Sequence, residues 1–200
     1  MLQLVISIPI GVLSATKQHT AFDVIFTVVA FAGISLPSFF LALLLQKGFA
    51  VNLGILPLDG MHSAGVDLNG GQYIIDTIQH MVLPVVCLTM MNIGGTMRYV
   101  RTSMLEVINQ DYIRTARSKG LPERIVVYRH ALKNAAIPIV TFVGNALPGL
   151  FSGAMITETI FGWPGIGKIF LDSISKRDYM FMMGYVMLLA VLTMLSLIHI

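Results

Sequence analysis

Between Val24 and Leu45 the chain runs without one charged side chain. About 20 apolar residues in a helix cross the ~30 Å hydrocarbon core of a bilayer, so a run of this length belongs in lipid. No water is available there to satisfy backbone N–H and C=O groups, which leaves α-helices or closed barrels as the spanning structures. The run lacks the period-two alternation of barrel strands, so a helix is predicted. Three further charge-free runs follow at Met81–Met97, Pro138–Thr157 and Tyr179–Ile200. Met1–Ala15 is a shorter apolar segment that contains Pro9; without a basic start or a small-residue cleavage site it reads as a helix, not a signal peptide. With 56% hydrophobic and 12% charged residues, the chain falls outside ordinary soluble domains. The expected fold is all-α, a polytopic transmembrane helical bundle of about five spans forming a single domain over residues 1–200. No internal repeat or low-complexity tract divides it. Both ends fall inside apolar runs, as expected of a fragment.

The charges set the orientation. Arg98, Arg101, Arg114, Arg117, Lys119, Arg124, Arg129 and Lys133 lie between the second and third long runs, against the acids Glu106, Asp111 and Glu123. The positive-inside bias makes this loop, about residues 102–136, cytoplasmic, with Arg98 and Arg101 snorkelling to headgroups. Lys17 and His19 then also lie inside, and the loops at about 47–80 and 158–180 face outward. A net charge of +3 is too small to imply nucleic acid. Cys87, the only cysteine, is expected to be a small buried filler.

Within the cytoplasmic loop, Leu105, Ile108, Tyr112 and Ala116 recur at helical spacing while Gln110, Arg114 and Arg117 fall off that stripe, predicting an amphipathic segment. Gly120 can end it in the left-handed conformation. Pro122 can then open a second helix at its first position, with Glu123 favourably placed in the first turn. Two readings fit this helix–turn–helix island: a basic loop lying on anionic lipid, or a projection that fits a partner's groove.

The island also resembles a known family. The run Asp111, Tyr112, Arg114, Thr115, Ala116, Arg117, Ser118, Lys119, Gly120, Leu121, followed by His130, Ala131, Leu132, Lys133, Asn134, Ala135 and Pro138, is similar to the signature loop of ABC importer permeases of the dipeptide/oligopeptide/nickel branch. In that branch DYxRTARAKGL and HALxNAxxP recur. Glu158, Phe161, Pro164, Gly165 and Gly167 match its outer E-x-x-F-x-x-P-G-x-G element, Arg177–Asp178–Tyr179 its RDY, and Leu53, Gly54, Leu56, Pro57 and Gly60 its L-G-x-L-P-x-x-G stretch. The resemblance covers nearly the whole chain. Ser118 stands where alanine is usual, and Ile55 where tryptophan is common.

The resemblance implies a binding-protein-dependent permease subunit that moves peptides, or a related solute such as nickel, inward across a bacterial or archaeal cytoplasmic membrane by alternating access. It implies a second homologous permease, two ATPase subunits gripping the island, and an extracytoplasmic solute-binding protein. No catalysis and no bound cofactor are expected in this chain, since ATP and Mg would sit on the ATPases. Ala116 and Gly120 are expected to allow close docking, with Arg114, Arg117, Lys119 and Arg124 reaching carboxylates. The family further implies a helix and outer segment before residue 1 and a charged tail after the last span; Ser196–Ile200 do not match its usual ending.

Other residues invite sharper readings. Gly162, Gly167 and Lys168 satisfy the phosphate-loop spacing G-x-x-x-x-G-K, but Ile169 replaces the Mg-binding hydroxyl, Pro164 removes a cradle N–H and no strand precedes it. The stretch reads better as a compact turn, either a plain connection or one that caps the pore or touches a delivered protein. Gly149 and Gly153 form G-x-x-x-G, which predicts close helix packing. Thr141, Asn145 and Ser152 can line a translocation path or bond neighbouring helices. The thirteen methionines read as adaptable packing. His19, His62, His80, His130 and His199 lack metal-ligand spacing, so no metal site is assigned, and Asp59, Asp67 and Asp76 read as a solvated outer face. The competing function classes are a non-transporting scaffold with a lipid-binding basic loop, and a membrane-embedded enzyme. The enzyme would require clustered acids or histidines inside the spans, where few occur.

Overall fold

The structure, a computed structural model, describes residues 1–63, 65 and 70–199, and among them the regular elements are all helical. In chain order these are α1 (Leu2–Thr16), α2 (Ala21–Ser35), α3 (Ser38–Leu45), α4 (Gly71–Ile108), α5 (Asp111–Ser118), α6 (Glu123–Ile125), α7 (Leu132–Phe151), α8 (Met155–Ile160), α9 (Ile166–Lys176) and α10 (Tyr179–His199). Wide π-type turns, Gln46–Asn52 and Val126–Ala131, continue α3 and α6. By length and composition α4 and α10 each suffice to cross a membrane, and α2 with α3 and its continuation make a third, broken candidate.

That break corrects the expectation of one uninterrupted helix over Val24–Leu45. Pro37 has no N–H to donate and bars Leu36 from helical backbone angles, so α2 stops at Ser35 and α3 restarts with Pro37 as its extended N-cap, φ −60° and ψ 141°. The run predicted at Pro138–Thr157 is displaced as well, although its helix carries Pro138 and Pro148 inside it. Its helix, α7, begins at Leu132 and ends at Phe151, with Ala154 and Gly153 in the turn before α8. Met81–Met97 lies inside α4, which extends well beyond it at both ends.

The chain forms two compact units, Met1–Ser35 with Thr89–Gly144 and Leu36–Leu88 with Asn145–Ile200. The first is built on an apolar cluster in which Val12 and Ala15 of α1, Val100 and Met104 of α4, Ile113 and Ala116 of α5, and Val126, Val127, Ala131, Ala135 and Ile139 are all buried. Its α2 and α4 touch through Gly94: a Cβ there would stand 2.5 Å from the Ala30 carbonyl oxygen. The second unit is stitched by polar groups. The Gln46 side-chain amide donates to the carbonyls of Leu58 (2.9 Å) and Ile160 (3.1 Å), and the Gly60 N–H donates to the Phe161 carbonyl (2.9 Å). The two segments assigned to the outer side therefore sit together in one unit. Lys17, His19 and the basic island, assigned to the inner side, share the other.

Candidate functional site

The island is a short helix set on a greasy footing. Asn109 and Gln110 interrupt the predicted amphipathic stripe, so Leu105 and Ile108 end α4 while Tyr112 and Ala116 belong to α5. On α5 the inward positions are Ile113, fully buried, and Ala116; Leu121 packs against the same cluster. Tyr112 points outward with Asp111, Arg114, Thr115, Lys119 and Gly120. Of the expected stripe, Leu105, Ile108 and Ala116 pack on the cluster, while Tyr112 points outward and its place is taken by Ile113, one residue on. Ala116, expected as a close-docking position, is instead part of the island's foundation.

The turn after α5 is held by local chemistry. Gly120 adopts φ +73°, with its N–H on the Arg117 carbonyl (2.9 Å), and Pro122 is the N-cap of α6, one residue earlier than its expected place as first helical residue. No described atom lies within 4 Å of a Cβ built on Gly120, so the glycine serves backbone conformation and not a close approach within this chain. Across the turn, Arg117 makes a two-pronged pair with Glu123, Nη2 to Oε1 at 2.6 Å and Nε to Oε2 at 3.1 Å. These hydrogen bonds hold the Glu123 carboxyl below its ordinary pKa and raise that of Arg117. Arg117 is therefore a brace for the turn. Arg114, its side chain 77% exposed, lies 3.9 Å from the still more exposed Asp111, and Lys119 is exposed as well.

A second constellation escaped the sequence reading. Asp23, buried at the start of α2, receives Arg101 through Nε (2.9 Å) and Nη2 (2.9 Å), the His19 N–H (3.1 Å) and the buried Ser14 hydroxyl. Arg101 also reaches Ser14 Oγ at 3.1 Å. It does not snorkel as expected but ties α1, the α1–α2 turn and α2 to the stem of α4 that carries the island.

Of the residues expected in an outer loop, Glu158, Gly165 and Gly167 meet, with Phe161 and Pro164 in the same turn of chain. The Glu158 carboxylate accepts the Ala154 N–H at Oε1 (2.8 Å) and the Lys168 N–H at Oε2 (2.9 Å). A Cβ on Gly165 would overlap that carboxylate, and one on Gly167 would meet it at 3.0 Å. Phe161 is 2% exposed. The E-x-x-F-x-x-P-G-x-G spacing is therefore a carboxylate wrapped by its own loop, and Glu158 fills the hollow that a phosphate would need, so Gly162–Lys168 is no nucleotide cradle. Arg177 closes α9 in the left-handed conformation (φ 57°), and Asp178 caps α10 through the Phe181 N–H (3.1 Å), which explains the Arg-Asp-Tyr run as a helix-to-helix corner.

The remaining candidates separate. Thr141 and Ser152 fall in different units, and each hydroxyl bonds its own helix, to Ile137 (3.2 Å) and Gly149 (2.9 Å); the side chain of Asn145 lies outside the described residues. Gly149 and Gly153 do not form a packing face, because Gly153 lies beyond α7 at φ +67° and no described atom lies within 4 Å of a Cβ on Gly149. Asp59 is exposed as expected, but Asp76 is buried, accepting the Ser63 N–H (2.8 Å) and hydroxyl (2.6 Å) with His62 and His80 at 3.6 and 3.7 Å. Asp67 lies outside the described residues, as does the side chain of His199. Cys87 is fully buried.

Apolar membrane-length helices, a cationic helix–turn–helix on an apolar base and a loop wrapped on its own carboxylate define a polytopic, all-helical integral membrane protein. Residues 7–200 match the binding-protein-dependent transport system inner membrane component family, and the chain belongs to it. It is 41% identical over 196 residues to the oligopeptide transport system permease protein AppB of Bacillus subtilis (strain 168), covering 98% of this chain and 61% of that one. Against the oligopeptide transport system permease protein OppB of Salmonella typhimurium it is 40% identical over 194 residues, 96% of this chain and 59% of the relative. The dipeptide transport system permease protein DppB of Escherichia coli (strain K12) is 37% identical over 207 residues, 95% and 61% of the two chains. The chain thus spans about three-fifths of the length of these curated relatives.

Proposed function

We propose that this chain is the membrane-spanning part of a permease subunit in an ATP-driven importer of the bacterial inner membrane, with peptides as cargo. Family membership supports the transport role, and the relatives named for oligopeptide and dipeptide transport support the cargo. The observation that carries the mechanism is the island itself. Buried Ile113 and Ala116, with the partly buried Leu121, join it to the same apolar cluster as Met104 of α4 and Ala135 of α7, so a push on α5 moves those helices as one packed body, while Tyr112, Arg114 and Lys119 stay exposed for an acidic cleft. In this reading a separate ATPase subunit grips that outer rim. Two such ATPases closing on ATP tilt this permease against a second, homologous one, and a binding protein outside delivers the peptide. Hydrolysis and its Mg stay on the ATPase; this chain supplies the path and the lever.

The test is charge reversal on the free rim. Arg114→Glu with Lys119→Glu should abolish uptake of a labelled dipeptide while leaving expression and membrane insertion at wild-type levels. Uptake at the wild-type rate in that variant would refute the assignment.

A further inference from the structure

Beside the brace of Asp23 and Arg101, α2 and α4 leave a cavity of about 300 Å³, at the lower edge of the ~300–1,000 Å³ typical of ligand clefts. Its lining changes character along its length. The two helices run antiparallel here, since Asp23 meets Arg101 at one end and Ala30 and Ile34 meet Gly94 at the other. At the Gly94 end the wall is Phe31 and Ile34; at the other end it is Thr27, Arg98 and Thr102. From Gly94 to Arg98, four residues of α-helix rise about 6 Å, so the apolar wall fits within the ~15 Å depth of one leaflet's hydrocarbon.

The charges decide the occupant. Arg101 is neutralised by Asp23, whereas Arg98 is exposed and has no hydrogen bond or ion pair among the described residues. One uncompensated cation with Thr27 and Thr102 beside it, above an apolar trough walled by Phe31 and Ile34, joins a site for a negative headgroup to a site for an acyl chain, and so is complementary to an anionic amphiphile. The polar end also faces along α4 toward Ile108 and the island, hence toward the cytoplasmic headgroups in the orientation proposed above. We propose that this groove is a binding site for an anionic phospholipid of the cytoplasmic leaflet, its phosphate on Arg98 and one acyl chain lying against Phe31 and Ile34. The proposal rests on the orientation in the preceding reading, not on the ATPase contact.

The experiment uses the full-length permease in its assembled complex, delipidated in detergent and titrated with palmitoyl-oleoyl phosphatidylglycerol, phosphatidylethanolamine or phosphatidylcholine, with bound lipid counted by native mass spectrometry. Phosphatidylglycerol should be retained about fivefold better than either zwitterionic lipid, the preference that one basic residue near an anionic headgroup supports. Arg98→Ala should remove that preference, Arg98→Lys should keep it, and Thr27→Phe should exclude all three lipids from the site by filling its mouth. Equal retention of the three lipids, a preference that survives Arg98→Ala, or protection of a Thr27→Cys label by another subunit in lipid-free complex would each overturn the site. The ATPase content of the same samples is read separately, so loss of the partner subunit and loss of the lipid are distinguishable.

Discussion

Asp23→Asn keeps the shape of the side chain and removes its charge, which leaves Arg101 facing a neutral amide between α1, α2 and α4. The pair is tight, two contacts of 2.9 Å, and the Asp23 side chain is 7% exposed against 26% for Arg101. Breaking a fully buried pair by removing one partner costs about 3–5 kcal/mol, because the other charge stays behind undischarged. Arg101 keeps some contact with solvent, so about 2–3 kcal/mol is the expected cost. At about 2–4 °C per kcal/mol for a chain of this size, the melting temperature in detergent should fall by about 4–12 °C. Arg101→Ala should cost a similar amount, but the double variant should be less destabilised than the sum, since it strands no charge; the coupling should be about 1–3 kcal/mol. Additive single effects, or melting shifts under 1 °C, would refute the view that this brace fastens the island's stem to the α1–α2 turn.

Three other perturbations test the local geometry. Glu158→Ala strands the N–H groups of Ala154 and Lys168, each a charge-assisted bond of about 1.5–3 kcal/mol, and Gly165→Ala drives a methyl into the same carboxylate; both should speed amide exchange across residues 153–168 at least tenfold, with the island unchanged. Gly120→Val should destabilise the turn by about 1–2 kcal/mol through its φ of +73° alone, with Gly120→Asn milder, measured as helix–turn exchange over residues 117–125. The Arg117–Glu123 pair lowers the Glu123 pKa, so its contribution is present above the ordinary carboxylate value and is lost as pH falls through the lowered one. With side chains 41% and 61% exposed it is worth about 0.2–1 kcal/mol. Protection of that turn, measured against the intrinsic exchange rate at each pH, should fall on acidification below about pH 4 in the wild type and stay constant over the same range in Glu123→Gln.

The helical membrane architecture was legible because hydrocarbon leaves so few alternatives: a charge-free run of spanning length could become little else. Where the helices break was less so. Pro37 was in plain view inside Val24–Leu45, but prolines also sit inside α1 and α4 at Pro9 and Pro84, and only packing decides which of them interrupts a helix. The island's turn was read from Gly120 and Pro122 to within a residue, since local backbone preferences govern it. Its inward face was read at Leu105, Ile108 and Ala116 but missed at Ile113, because the stripe changes register where α4 stops, and Asn109–Gln110 is a soft boundary. Asp23–Arg101 was hidden by sequence distance: two charges 78 positions apart carry no periodic signal. The outer motif's residues were visible while their reason, a carboxylate enclosed by glycines, needed coordinates.

The central claim is that an ATPase subunit holds the outer rim of α5. Cys87 is fully buried, so among the described residues a cysteine introduced at the exposed Thr115 is the reactive one. In membranes carrying the assembled transporter, a short bifunctional thiol reagent should join Thr115→Cys to a cysteine in the cleft of the ATPase, with yield changing between nucleotide-free and ATP-bound states. The same reagent should give nothing from a cysteine at Ser175 on the outer segment. Joining at Ser175, or none at Thr115 in complexes that contain the ATPase, would contradict the account.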